Sequence, residues 1–254
     1  MKYHLLLPLC GSLITGSVFA ETDSQTDNQT DGQDPSPYSG SVKLGFIYSQ
    51  NTDTSLSINS GATLVYQPSD WHHKADLATY YTNSNSESDG TQKYSATYGA
   101  KYDFTHDNFV FGHNKYEYDQ FGTYRDQVVV VAGFGAIITS NDQTTVNIGA
   151  GPGYRFSQRQ SDDPDFPSQI QEELIANGFI EGTSLLTESL EVGGKVNVDY
   201  GEENTSTNVK GYIKNQLMDK LALLVDTEYI YNSTVAAEQN NDELYSTVNI
   251  TYDF

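Results

Sequence analysis

The last eleven residues, LYSTVNITYDF, alternate apolar Leu244, Val248, Ile250, Tyr252 and Phe254 with polar Thr247, Asn249, Thr251 and Asp253. Successive side chains of a strand point to opposite faces, so this strand has one oily face and one wet face. The same period of two recurs from Gly40 to the end, broken by turn residues, and no helical pattern exceeds the short stretch at 172–176. About 12 strands are readable, an even number that suits a closed antiparallel barrel with lipid outside and polar residues inside. They are expected to begin near Ser41, Thr54, Trp71, Thr91, Phe109, Tyr124, Thr144, Gln171, Ser189, Thr205, Lys220 and Asp242. The fold class is therefore all-β, a transmembrane up-and-down β-barrel.

Mean hydropathy is −0.53, too polar for a bundle of membrane helices. A barrel hides only every second residue in lipid and tolerates that value. Nineteen tyrosines would furnish aromatic girdles at the two interfaces, or else β-propensity in a soluble sandwich. A net charge of −21 makes nucleic acid an unsuitable partner.

The chain opens with Lys2, an apolar run from Leu5 to Ile14 and the small-residue site Val18-Phe19-Ala20, which reads as a secretory signal peptide at 1–20. That run is too short to span a bilayer and is broken by Pro8. Cys10 lies inside it, behind Leu9 where a lipoprotein signal needs a small residue, so the mature chain is expected to have no thiol and no disulfide. Residues 21–37 carry five acids and no base and read as a disordered periplasmic leader, leaving 38–254 as the barrel.

Connection lengths add a direction. Residues 68–70, 105–107, 140–142, 186–188 and 218–219 are short turns, whereas 83–90, 119–123, 158–168 and 232–241 are longer and polar, with 201–204 brief. Short turns on one rim and long loops on the other are the habit of outer-membrane barrels, the short rim being periplasmic. A C-terminal strand ending in an aromatic residue resembles the insertion signal of such barrels, which assigns Tyr252 and Phe254 to recognition by the assembly machinery. Outer-membrane lipid and lipopolysaccharide are the expected surroundings of a monomer.

Two strands break the alternation. The run from Phe109 is apolar on both faces and sets His113 and Lys115 in phase with phenylalanines, which suggests a β-bulge near Gly112. The run from Val128 to Ile138 is apolar throughout, so Val129, Val131 and Ile137 need a dry neighbour inside the lumen. The glycines at 149, 151 and 153 resemble a phosphate loop only superficially, since no helix follows; in a strand they permit kinking and close approach.

In phase with the inner face lie Lys43, Lys101, Asp103, Arg155, Glu191, Lys195, Asp199, Lys210, Lys214, Asp226, Glu228 and Asp253. Two readings stand. Rings of charge could select ions or small charged solutes, or salt bridges could fill a narrow lumen. The turn at 218–219 sets Lys210 opposite Asp226 or Glu228. One register brings Lys195 against Lys210, with Glu191 and Asp199 as candidates for the acid between them.

No catalytic constellation is present. His72, His73 and His106 fall at short turns, Trp71 suits an interface belt, and His113, the mid-wall histidine, has no serine two residues on. An outer-membrane lipid or peptide hydrolase and a secreted soluble β-sandwich are the competing classes. Neither a cofactor nor a metal is expected. The carboxylates Asp162, Asp163 and Asp165, with Glu172 and Glu173, lack calcium-loop spacing, although divalent cations could bridge acidic loops to anionic lipid.

YSGSVKLGF at 38–46, YSATYGAKYDF at 94–104, IGAGPGYRF at 148–156 and the closing YDF at 252–254 together resemble the salt-induced outer-membrane protein family, YdiY-like. The resemblance spans residues 38–254. It implies an outer-membrane barrel of unknown function, linked by name to salt or osmotic stress, with no catalytic residues to carry over.

Overall fold

A computed structural model describes residues 36–50, 54–83, 91–120, 122–159, 170–235 and 240–254. The signal peptide expected at 1–20, residues 21–35 of the acidic leader and the carboxylates at 162–165 lie outside the described residues. Those described form twelve strands and no helix: β1 (Tyr38–Gln50), β2 (Thr54–Tyr66), β3 (Trp71–Asn83), β4 (Thr91–Thr105), β5 (Asn108–Asp119), β6 (Tyr124–Ser140), β7 (Thr144–Arg159), β8 (Ile170–Leu185), β9 (Leu190–Gly201), β10 (Ser206–Met218), β11 (Leu221–Asn232) and β12 (Asp242–Asp253). Each pairs antiparallel with its sequence neighbours, and β1 closes on β12 into an up-and-down barrel. Closure gives every strand two neighbours, although β1 and β12 pair only over Ser41–Gly45 and Asn249–Asp253.

Eleven strands begin within one residue of the positions read from the sequence, and β1 begins at Tyr38 rather than Ser41. Its extra turn of pairing is held by the Tyr38–Tyr66 ring stack at 4.5 Å and by the Gln67 amide donating to the Pro37 carbonyl at 2.9 Å. The stretch at 172–176 is strand, paired with β7 throughout. The seam is the shortest ladder: β1 and β12 share five paired positions against fifteen between β7 and β8. Phe254 extends it, its amide and carbonyl each bonded to Gly40 at 2.9 Å.

The bulge expected near Gly112 is absent. Gly112 pairs with Ala100 on one side and Ala132 on the other without a break. The register shift of this hairpin sits at Asp103/Thr105, and the others at Tyr124/Asp126, Ile137/Thr139 and Gln216/Met218 are likewise near the rims, where bulges collect in barrels. No switch of face is needed at Gly112, because Phe109 and Phe111 point inward together with His113 and Lys115.

The dry neighbour of β6 is thereby found. Phe109, Phe111, Ile175 and Phe179 surround Val129 and Val131 in one buried cluster, with Ile137 packed against it. Glycines make room for the rings: a Cβ on Gly135 would lie 2.1 Å from Phe109, one on Gly149 2.6 Å from Phe179, and one on Gly193 2.5 Å from Tyr212. In β7, Pro152 has no N–H for the ladder. The β6–β7 register skips Ala132 and Gly133 opposite it, and a Cβ on Gly151 would strike the Ala132 carbonyl at 2.1 Å.

The outer wall is apolar. Leu174 is 79% exposed, Phe134 71% and Leu244 66%, values that a water-facing surface would not carry on so many strands. Near the short-turn rim, Tyr38, Tyr66, His73, Trp71 and Tyr102 form a continuous run of ring contacts between 4.5 and 5.8 Å. Amphipathic rings of this kind belong at a membrane–water boundary.

Candidate functional site

Parity along each strand decides which charges enter the lumen, and the ladder decides which of them meet. Lys210 is directly opposite Glu228 on β11 and its ammonium lies 3.2 Å from that carboxylate. On its other side Lys210 faces Lys195 of β9. The two cations are parted by turning away from one another: Lys195 reaches Glu181 of β8 at 2.9 Å. Glu191 and Asp199 are therefore not the acids that separate them. Glu191 accepts the Tyr212 hydroxyl at 2.6 Å, and Asp199 accepts the Asn177 amide at 2.6 Å and the Asn197 amide at 3.3 Å.

The remaining inner charges are tied across one strand or along their own. Lys43 reaches over β12 to Asp226 at 3.0 Å, and Asp226 also accepts Thr247 and Asn249, both at 2.8 Å. Lys214 reaches over β12's other neighbour, β11, to Asp253 at 2.8 Å. Lys101 lies 3.2 Å from Asp103, which also takes the His72 ring at 2.7 Å. His72 is thus a lumen residue at the start of β3, not a turn residue; its neighbour His73 faces out. Arg155, 1% exposed, pairs with Glu173 at 2.5 Å and donates to the Asn204 carbonyl, which draws the β9–β10 connection inward.

Several contributors escape a parity count made on clean strands. Lys93 is a hub, 3.1 Å from Glu117, 3.6 Å from Asp119 and 3.9 Å from Glu243. Lys115 shares Glu117 at 2.5 Å. Lys93, Glu117 and Asp119 lie at strand ends, and Glu181 lies on a β8 inner face that also carries Ile175 and Phe179. An inner face of mixed polarity gives alternation nothing to register.

Contacts between strands that are not neighbours narrow the lumen. Lys93 of β4 meets Glu243 and sits 5.5 Å from the Tyr245 ring of β12, while Tyr80 of β3 meets Tyr245 at 5.1 Å. This chord passes in front of β1 and β2 and, from Lys93, in front of β3 as well. A second joins Phe111 of β5 to Phe179 of β8 edge-on at 5.1 Å, in front of β6 and β7. Between the chords is a chamber of ≈ 200 Å³, floored by Phe109, Phe111 and Phe179 and reaching Thr123, Asn232 and Glu243 at the long-loop rim. Lys74, Lys115, Lys195, Lys210, Asp199 and Glu228 line its sides. His113 lines it too, its ring stacked on Phe111 at 6.4 Å.

The comparisons agree with this architecture. A protein of Escherichia coli (strain K12) described as "Uncharacterized protein YdiY" is 22% identical over 200 residues, which covers 78% of this chain and 75% of that one. Among solved structures, an outer-membrane channel of Pseudomonas putida F1 superposes with a TM-score of 0.50 at 12% identity, covering 90% of this chain and 99% of the channel. The translocator domain of the autotransporter NalP from Neisseria meningitidis gives 0.47 at 10% identity, with 85% and 88% covered. At 12% identity the likeness to the channel is one of fold alone, a closed barrel of the outer-membrane kind. The family description "Protein of unknown function, DUF481" matches residues 42–254, so the chain belongs to the DUF481 family.

Proposed function

We propose that the chain is an outer-membrane barrel with a constricted lumen, which admits small solutes to its chamber from the long-loop side and excludes larger ones. One observation carries the reading: side chains of non-neighbouring strands touch inside the barrel, at Lys93–Glu243 and at Phe111–Phe179. A barrel of sixteen or more strands leaves an aqueous channel and one of eight is filled, so at twelve the side chains decide. Here they cut across the lumen on two sides. Proteoliposomes that hold the refolded barrel should stay unswollen in a disaccharide; free permeation of a disaccharide would end the proposal. Planar bilayers should show small current steps that grow when Phe111 and Phe179 are both replaced by alanine.

A structural wall without conduction is the second reading. It is favoured by the pairing of Lys43, Lys195, Lys210 and Lys214 each with a carboxylate. Bilayers that stay silent with folded protein, including the double alanine variant, would select it. A hydrolase role has less behind it: His113 lies among Phe111, Lys115, Lys195 and Asp199, with no hydroxyl or thiol bonded to its ring among the described residues, and lipid or peptide hydrolysis lost in His113→Ala would overturn that view. Export through a signal peptide at 1–20 would end with its removal, so the intact mass from outer membranes should correspond to a chain that begins at Glu21. Insertion through the terminal aromatic predicts that Phe254→Ala lowers the fraction of heat-modifiable barrel. The salt link implied by the family resemblance is tested by protein level against external NaCl.

A further inference from the structure

Nearly every basic residue of the barrel faces inward, yet the ammonium groups of the chamber are already committed. Lys93 and Lys115 converge on Glu117, Lys195 holds Glu181 and Lys210 holds Glu228. Lys74 shares its inner face with Asp76, two residues on. An anion arriving there would have to displace a carboxylate from each of these cations. The Asp199 carboxylate is in a different position. It accepts two amides, from Asn177 and Asn197, and forms no ion pair among the described residues. A carboxylate with spare accepting capacity therefore lines a chamber whose floor is phenyl rings.

The approach has the same sign. On the long-loop rim the described connection 202–205 carries Glu202 and Glu203 and no lysine or arginine. Charge of one sign around a low-dielectric opening raises the local concentration of counter-ions. Together these features point to one class of solute. We infer that the chamber takes up small organic cations, the ammonium group resting on the Asp199 carboxylate and the alkyl part on the phenylalanine floor. Aromatic surface next to a carboxylate suits an alkylammonium, and the rings already host cations: Lys195 lies 4.5 Å from the Phe179 centroid and Lys101 5.2 Å from that of Phe109.

The inference rests on the chamber being open to solutes, as proposed above, and deepens that reading by naming the solute. Titration calorimetry of the full barrel in detergent, with choline as the probe and acetate as the control, tests it. Choline should bind saturably, acetate should not, ethanolamine should compete, and added NaCl should weaken binding. Asp199→Asn keeps the side-chain shape and should weaken choline by about tenfold or more, equivalent to ~1.4 kcal/mol. Tighter binding of acetate than of choline, choline binding undiminished in Asp199→Asn, or no choline heat from a heat-modifiable wild type would each overturn it. Disaccharide permeation is a separate failure: it sinks the constriction and leaves the charge preference standing.

Discussion

The lumen is filled in two ways. From β5 to β8 the inner face is hydrocarbon, with Phe109, Phe111, Val129, Val131, Ile175 and Phe179 in one cluster. From β9 round to β1 it is ionic and amide-rich: Lys195, Lys210, Glu228, Asp226, Asn249 and Lys43 lie on successive or next-but-one strands. Both halves must occupy the same radius, but they are stabilised by different terms. The apolar half gains from area removed from water and from close packing. The ionic half only recovers what was lost when its charges left water, so its members matter chiefly when one is left without its partner.

That difference orders the effects of substitution. Phe179→Ala removes the ring that meets Phe111, covers Gly149 and lies under Lys195. The loss should be about 3–5 kcal/mol, the range for truncating a buried aromatic ring. Urea unfolding in lipid vesicles, followed by the fluorescence of Trp71, measures it. A loss below ~1 kcal/mol would mean that the cluster is loosely packed or collapses freely.

Glu181→Gln probes the border between the halves. Glu181 is 2% exposed and is the partner of Lys195. Without it, Lys195 and Lys210 face each other across the β9–β10 ladder with one fewer acid. The cost should be about 1–3 kcal/mol, as for a buried polar group deprived of its partner. Adding Lys195→Met should recover much of that loss, because the pair is worth less than the penalty for breaking it. If the double variant is no better than the single one, Glu181 acts through contacts other than Lys195.

The apolar half was legible because it violates a rule. Continuous apolarity from Val128 to Ile138 announced a dry patch, and a parity count places Phe109, Phe111 and Phe179 on the inner face. The patch was not attributable from sequence because its partners lie on β5 and β8, which a list of strands does not order in space. In the ionic half the inner positions of Lys43, Lys195, Lys210 and Asp226 follow from alternation, and the Lys210–Glu228 register follows from a tight turn. Partner choice does not. Lys195 chooses Glu181 over Glu191 or Asp199 because a lysine stem can lean toward either neighbouring strand, and because Tyr212 and the two asparagines already hold the other acids. The same freedom hides Lys93, whose partners come from β5 and, across the lumen, from β12.

Gly193→Leu sharpens the comparison within the ionic half, where one ring also packs against a glycine. Any Cβ there meets Tyr212 at 2.5–2.6 Å, so the ring must swing away and loses its bond to Glu191. Overpacking of this kind costs about 1–3 kcal/mol. Tyr212→Ala in the same chain should relieve most of it. Additive losses from the two changes would show that the glycine serves the backbone and not the ring.

The smallest effect belongs to Lys214→Ala. Its ammonium lies 2.8 Å from Asp253, but the two side chains remain 27% and 29% exposed, near the short-turn rim. Water reaches both charges, so the attraction is screened and the entropy of holding a lysine stem offsets much of it. The expected cost is ~0–1 kcal/mol, fading further as salt rises. Asp253 would then be hydrated in place and would require no new partner. A loss as large as that of Glu181→Gln, insensitive to salt, would mean that the rim is as dry as the middle of the lumen. The distinction between the halves would then have to be redrawn as one between inner wall and outer wall.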